Sequence, residues 1–334
     1  MITEKQKQIL SILADAEFHS GTELAQVLGI SRSAIWKYLT SLGELGLSYK
    51  AVQGKGYRLD KPLHFLSSAA IYSHLSEAAK SLITALEIYD QLLSTNTYLS
   101  EQAQKNPQSG LICLAEHQTL GKGRRGRQWV SPFGSNIYLS VLWCFQQGPS
   151  HISGLSLVMG VAVIRALREY GIENIGLKWP NDIFWQAKKL GGILIEVSGE
   201  TSGPCCAVIG LGLNLALSAQ VGESITQPWT DLESVVGASL IARNKLVASL
   251  LNHMLIILND FEQSGLQPYL DEWRSYDCLK YQPITLQLGS QQINGVLQGI
   301  DDNGLLLLQH ADGRVQGFAS GEVSFNPETH ESAS

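Results

Sequence analysis

Only five cysteines occur in 334 residues, an odd number without one C-x-x-C pair, so the pattern speaks for neither a disulfide framework nor a zinc ribbon. All five (Cys113, Cys144, Cys205, Cys206, Cys278) stand in mostly apolar surroundings and are expected to be free thiols. Eight scattered histidines show no H-x-x-x-H spacing, which argues against a metal held by protein ligands alone. No apolar run approaches the roughly eighteen residues needed to cross a bilayer. The opening MITEKQKQIL lacks the apolar stretch and cleavage site of a secretory signal, so a cytoplasmic chain with no membrane partner is expected.

Charge is also scarce. Asp, Glu, Lys and Arg make up 16% of the residues, and the net charge of -6 argues against wholesale coating of nucleic acid. The cations are concentrated in two places. Between Ser31 and Arg58 there are five (Arg32, Lys37, Lys50, Lys55, Arg58) against one acid, Glu44, and the seven residues from Gly121 carry four more. With 44% hydrophobic residues and this length, two or three domains with cores of their own are expected.

In the first sixty residues Ile9, Leu10, Ile12 and Leu13 recur at helical spacing. Ser20-x-x-Glu23 is a capping box for a second helix with Leu24, Val27 and Leu28 inward, ended by Gly29. Ser31 is placed to cap a third, whose inward residues are Ile35, Leu39 and Leu42. The alternation L-S-Y-K-A-V, then Gly54-Lys55-Gly56, then Y-R-L reads as a hairpin, hence a wing. On the third helix Ser31, Arg32, Ser33, Trp36, Lys37 and Tyr38 mix phosphate donors with base-edge readers, and Lys55 at the wing tip is within reach of backbone phosphate. A small domain for protein contacts, its lysines merely solvated, is the other reading.

After a linker at Lys61-Pro62, helices and strands interleave without regular βαβ units, which describes an α+β sheet with helices packed on one face. Three segments carry chemistry. Gly121-Lys122-Gly123-Arg124-Arg125-Gly126-Arg127 is formally G-x-G-x-x-G, but R-Q-W-V-S-P follows, which cannot open the helix a dinucleotide site needs. A flexible loop of amides and guanidinium forks around a polyphosphate fits better, mobile when empty and ordered when filled. Lys178-Trp179-Pro180-Asn181-Asp182 presents an amide and a carboxylate at a strand end on a rigid turn. Lys188-Lys189-Leu190-Gly191-Gly192-Ile193-Leu194-Ile195-Glu196 is a hairpin turn entering a strand, its glycines marking close backbone approach and Lys189 able to meet an anion. A second glycine-bearing strand, V-I-G-L-G-L-N-L, carries a polar Asn214 that calls for a specific partner.

These segments, in this order, resemble the biotin-protein ligase family, specifically its members that are both ligase and biotin-operon repressor. The resemblance implies a winged helix-turn-helix domain (residues 1–62), a catalytic domain with a class II synthetase-like mixed sheet (66–274) and an SH3-like C-terminal β-barrel (275–325). It implies an ATP-dependent biotin-[acetyl-CoA-carboxylase] ligase that forms biotinyl-5'-AMP with Mg-ATP, then passes biotin to a lysine of the biotin carboxyl carrier protein. As a repressor it would dimerise with adenylate bound and occupy operator DNA of the biotin operon. By the same resemblance Ser94, Thr95, Asn96, Gln118, Gly121, Lys122, Arg124, Lys189 and Gly192 would contact biotin. Arg124, Arg125, Arg127, Trp129, Lys178, Asn181, Asp182 and Asn214 would serve the nucleotide, with Lys189, Arg124 and Asp182 catalytic. Lys122 stands where the family usually has arginine, keeping the charge without the bidentate fork. A biotin sensor without catalysis, and a lipoate or octanoate transferase of related fold, are the competing readings. At the C-terminus four short strands with turns at Leu288-Gly289-Ser290, Asp302-Asn303-Gly304 and Asp312-Gly313 describe the barrel.

Overall fold

The computed structural model describes residues 2–200, 202–237 and 242–325. At the N-terminus come helices α1 (Glu4–Leu13), α2 (Gly21–Leu28) and α3 (Arg32–Ser41), then the wing strands β1 (Tyr49–Val52) and β2 (Gly56–Leu59). Their ends follow from capping chemistry. Ser20 accepts from Glu23 N while the Glu23 side chain returns to the Ser20 N–H, Gly29 closes α2 in the left-handed region, and Ser31 Oγ accepts from Ala34 N at 3.2 Å. Ile9, Leu10, Leu13, Leu24, Ile35, Leu39 and Leu42 form the core. Val27, expected inward, is 67% exposed. This eight-residue helix buries only its Leu24/Leu28 row, and Val27 lies beside that stripe. Tyr38, expected outside, is half-buried against the same core.

The central region runs through α4 (Ser68–Tyr72), α5 (Glu77–Ser81), β3 (Ala85–Tyr89), α6 (Thr95–Lys105), β4 (Leu111–Ala115), β5 (Asn136–Phe145) and α7 (Leu155–Arg168). It continues with β6 (Ile175–Lys178), β7 (Asp182–Trp185), β8 (Lys188–Gly199), β9 (Cys205–Asn214), α8 (Ala219–Gly222), α9 (Leu232–Val236), α10 (Arg243–Ser264) and α11 (Leu270–Tyr276). β3 to β9 form one seven-stranded sheet in the order β3-β4-β5-β9-β8-β7-β6, parallel only between β3 and β4. Helices cover both of its faces, not one. α7 and α10 pack against the larger core, whereas Leu99 and Ala103 of α6 pack on the opposite side with Cys113, Leu142 and Val208.

Two expectations fail for reasons of register and burial. Pro149–Arg168 is long and apolar enough by composition to cross a bilayer, although no such run was expected. It is apolar nearly all round because α7 is enclosed by the sheet and α10, with Val158, Val161, Ala162 and Val163 fully buried. Cys144 and Cys206, expected free, face each other in the β5/β9 ladder with Cα atoms 3.9 Å apart and are bonded. Antiparallel register alone brings together two residues 62 apart in sequence. Cys113 and Cys205 are buried free thiols, and Cys278 is free and exposed.

The C-terminal strands β10 (Pro283–Leu288), β11 (Gln291–Ile300), β12 (Leu306–Gln309), β13 (Val315–Phe318) and β14 (Glu322–Phe325) form an antiparallel sheet ordered β13-β12-β11-β10-β14. A register shift between Leu297 and Gly299 bends it, and its inner residues join the central core. β14 is the strand not expected from the sequence.

The linker after β2 is tied down on both sides. Leu63 N donates to Ala14 O at 2.9 Å, and Leu66 N to Glu116 Oε1 at 2.6 Å. Phe133, from the stretch after the cationic loop, sits in the core of the N-terminal unit at 1% exposure. Its N–H donates to Leu45 O at 2.8 Å and its ring meets Phe65 edge to face at 6.1 Å. Truncating a buried phenylalanine loses about 3–5 kcal/mol, so Phe133→Ala should unfold the N-terminal unit at lower denaturant than the rest. Urea unfolding followed by protease cleavage within residues 2–60 reads this, and an unshifted midpoint would show that Phe133 is not an anchor.

Candidate functional site

One end of the sheet, where β5, β8 and β9 approach the start of α6, is hollow. The hollow exists because Gly210 and Gly212 alternate on β9 and so share one face. A methyl group on Gly210 would run into the Asn96 amide, and one on Gly212 into the Trp129 indole. The backbone is bare at these two positions so that polar and aromatic groups can lie on it.

The inner wall is neutral and polar. Ser94 precedes α6, and Thr95 and Asn96 form its first turn, all three buried. Thr95 N and Oγ1 both donate to Gln118 Oε1, at 2.9 and 3.2 Å, while Gln118 Nε2 donates to Ser131 Oγ at 3.0 Å. Ser140 Oγ lies 2.7 Å from both Thr95 Oγ1 and Asn96 Oδ1, and Asn96 Nδ2 donates to Glu196 at 2.9 Å. His117, behind Gln118, has Nδ1 2.7 Å from Ser131 O, and burial lowers its pKa below the ordinary histidine value, which keeps the ring neutral.

The outer wall is cationic. Lys189, at the start of β8, places Nζ 2.8 Å from Asp182 Oδ1 and 5.6 Å from the centre of the Trp129 ring. Lys178 is 3.8 Å from the same carboxylate, and burial pulls its pKa down, against the pull of Asp182 and with the help of Lys189. Arg124 Nη1 donates to Asn181 Oδ1 at 2.9 Å, and Asn181 Nδ2 to Ile193 O at 2.6 Å. Burial likewise lowers the Arg124 pKa, Asp182 opposing it and Arg125 adding to it. The Trp129 Nε1 donor is buried without a hydrogen-bond partner among the described residues.

Between these walls the loop from Gly121 to Arg127 folds back, Gly123 N donating to Arg127 O at 2.7 Å and Trp129 N to Gly121 O at 2.8 Å. Only a three-residue 3-10 turn, Arg124–Gly126, interrupts it, and no helix opens where a dinucleotide fingerprint would need one. The cations find carboxylates. Lys122 meets Glu196 at 3.1 Å, and Glu322 of β14 meets both Arg125, at 3.6 Å, and Arg127.

Of the residues singled out from the sequence, Ser94, Thr95, Asn96, Gln118, Lys122, Arg124, Arg125, Arg127, Trp129, Lys178, Asn181, Asp182, Lys189 and Gly192 line one cavity. Gly121 lies at the loop's base under the Trp129 carbonyl, not in the lining. Asn214 opens onto a neighbouring recess, which shares Arg127, Trp129 and Lys189 and is closed by Trp229, Val221 and residues 43–48 of the N-terminal unit. Glu322 and Trp229 were not singled out, and Glu196, Gly210 and Gly212 only as members of the two glycine-bearing strands, without a role of their own. The i, i+2 glycine alternation was a legible signal, but the four-residue strand that brings Glu322 offered none. Ser31, Arg32, Ser33, Trp36, Lys37 and Lys55 are exposed, Trp36 by 57%.

Three family models match the chain: the HTH domain over residues 5–58, the Biotin/lipoate A/B protein ligase family over 88–214, and the Biotin protein ligase C terminal domain over 282–326. The bifunctional ligase/repressor BirA of Salmonella typhimurium is 40% identical over 316 residues, 95% of this chain and 96% of that one. Its counterpart in Bacillus subtilis is 30% identical over 319 residues, 92% of this chain and 95% of that one. Among solved structures, the biotin protein ligase from Aquifex aeolicus in complex with biotin and ATP superposes with a TM-score of 0.62 at 28% identity, over 72% of this chain and 98% of that one. With three matching models in series and curated relatives matched along almost their whole length, the chain belongs to the biotin protein ligase family, in its bifunctional ligase/repressor branch.

Proposed function

We propose that the cavity activates biotin with ATP, transfers it to an acceptor lysine, and through its ligand state governs a DNA-binding repressor. One observation carries this: a single cavity with a neutral hydrogen-bonding end at Thr95, Asn96 and Gln118 and a cationic end at Lys189 and Arg124. A uncharged cyclic urea bearing an aliphatic acid has that same polarity along its length. Ser94, Thr95, Asn96 and Gln118 take the ureido ring, and Lys122 and Gly192 flank the chain, while Gly121 shapes the loop's base behind them. Arg124 and Lys189 meet the carboxylate.

In the first step a carboxylate oxygen attacks the α-phosphorus of ATP. A new oxygen–phosphorus bond forms, the bridging bond breaks, and pyrophosphate leaves with the electron pair, giving biotinyl-5'-AMP. Arg124, Arg125, Arg127, Lys178 and Lys189 offset the charge gathering on the phosphate oxygens, Asn181 orients one of them, and Trp129 and Asn214 hold the nucleoside. Among the described residues there is no group of three or more metal-ligating side chains; magnesium would be carried on the nucleotide's phosphates, with Asp182 a carboxylate of the lining able to hold it, and would supply charge neutralisation. In the second step the acceptor amine attacks the carbonyl carbon, AMP leaves, and Asp182 orients the amine and takes its proton. The acceptor is the biotin carboxyl carrier protein of a carboxylase.

We place the functional units at residues 1–62, 66–274 and 275–325. The first reads operator DNA of the biotin operon through Ser31, Arg32, Ser33, Trp36, Lys37 and Lys55, as a homodimer of adenylate-bound chains, since one small unit offers too few phosphate contacts.

Lys189→Met is expected to lower biotin-dependent ATP–pyrophosphate exchange by on the order of 10²-fold. A parent chain that exchanges no pyrophosphate with biotin present would end the ligase reading. Lipoate should fail to compete with biotin in the same assay, and equal competition would favour a lipoate-handling enzyme. On the DNA side, Lys37→Ala should weaken binding evenly across sequences and reduce the salt slope by about one. Filter binding from low to moderate salt measures it, and an unchanged slope would remove Lys37 from the interface.

A further inference from the structure

A buried ion pair sits outside the cavity, and the chemistry just described does not use it. Glu116 and Arg243 are 2% and 4% exposed and bonded to each other, where desolvation makes an ion pair a doubtful source of stability. Two of their remaining bonds tie the linker, Arg243 Nη1 donating to His64 O at 3.2 Å and Leu66 N to Glu116 Oε1, and the others reach the frame of the site. Arg243 Nε and Nη2 both donate to Asn136 O, at 3.1 and 2.7 Å. Asn136 is fully buried at the start of β5; its Oδ1 accepts from Leu215 N at 2.9 Å and its Nδ2 donates to Asn214 Oδ1 at 3.4 Å. Asn214 Nδ2 donates to Thr230 O at 3.0 Å, and Thr230 N to Lys189 O at 2.9 Å. An unbroken series of bonds therefore runs from a pair of buried charges, through two amides, to the backbone of Lys189.

We propose that Arg243, oriented by Glu116, is a positioning residue for the nucleotide half of the site, acting through Asn136 on Asn214 and on the 228–230 segment that braces Lys189. This rests on the ligase reading and deepens it. An amide has two ends, and a side chain free to flip would offer the nucleotide a donor or an acceptor at random. Asn214 is fixed at both ends, the oxygen by Asn136 and the nitrogen by Thr230, leaving one donor and one acceptor facing a set direction. Asn136 is itself held because its carbonyl receives two charge-assisted bonds from a planar fork, which lysine cannot reproduce. The ion pair is retained for direction, and its reach is selective: none of its bonds touches Thr95 or Asn96 at the neutral end.

Two variants test this. Arg243→Lys keeps the charge opposite Glu116 and loses the fork, while Glu116→Gln/Arg243→Met removes both charges together and leaves no lone buried ion. ATP binding by calorimetry and biotin-dependent pyrophosphate exchange are measured for each beside the parent. Both variants should raise the Kd and KM for ATP about tenfold or more while the biotin values stay within about twofold, as misplacement of one substrate's contacts requires. ATP binding equal to the parent's, or biotin and ATP weakened by the same factor, would overturn the proposal. If the double variant does not fold, the Arg243→Lys measurement alone decides. A parent that binds ATP but shows no exchange would sink the ligase reading and leave the binding comparison to judge the positioning.

Discussion

Like charges crowded onto a short loop must be neutralised, and most of the site follows from how this chain does it. Lys122, Arg124, Arg125 and Arg127 lie within seven residues and draw counter-charges from three distant parts of the chain. Glu196 comes from β8, Asp182 from β7 and Glu322 from the C-terminal sheet. Each contact is half-exposed or weaker, so none adds much stability by itself. Together they bring three sheet segments to one loop. An adenylate phosphate, richer in acceptor oxygens than any one carboxylate, would take over the same cations and change what Glu196 and Glu322 hold.

The stretch after the loop carries that state outward. From Trp129 on the bare backbone of Gly212, the chain passes through Ser131, which bonds Gln118 and His117, and reaches Phe133 in the N-terminal core within four residues. Packed interiors do not deform continuously. A displacement of Trp129 would reach the buried Ser131 and Phe133 through a segment with little room to absorb it. The neighbouring recess is lined by residues 43–48, so the N-terminal helix-turn-helix unit is also a wall of the space beside Asn214 and Lys189. Ligation and repression share covalent and packed parts.

Local chemistry was legible in the sequence and long-range pairing was not. Ser20, Glu23, Gly29 and Ser31 announced helix ends because capping depends on residues within a turn. The two-residue turn at Gln186 and Ala187, both at positive φ, joins β7 to β8 where a hairpin was expected. The cationic loop and the K-W-P-N-D segment were recognisable because each holds its chemistry in a few consecutive residues. Glu322 and the Cys144–Cys206 bond depend on strand register, which spacing does not encode. The same holds for the Glu116, Asn136 and Arg243 set, drawn from three separate segments. Val27 was misplaced for a different reason, since apolar periodicity marks a stripe but not its width.

The neutral end of the cavity bears on which acid the enzyme accepts. Thr95, Asn96 and Gln118 line that end, and Ser140 behind them bonds Thr95 and Asn96, so each of the three is held in one orientation while retaining unused donor or acceptor capacity. A cyclic urea offers one carbonyl and two N–H groups to meet that capacity. A dithiolane ring of similar size offers no N–H or carbonyl, and would seal buried polar groups from water without repaying them. A site built around such groups rejects the analogue that lacks them far more strongly than an apolar pocket rejects an extra methylene. On the proposed reading, selection for the ureido ring would reside in the three uncharged side chains at the cavity's inner end, and the reactivity in the cations at its mouth. The two functions are separated along one cavity, so a change at Gln118 should alter which acid binds, and a change at Lys189 how fast it reacts.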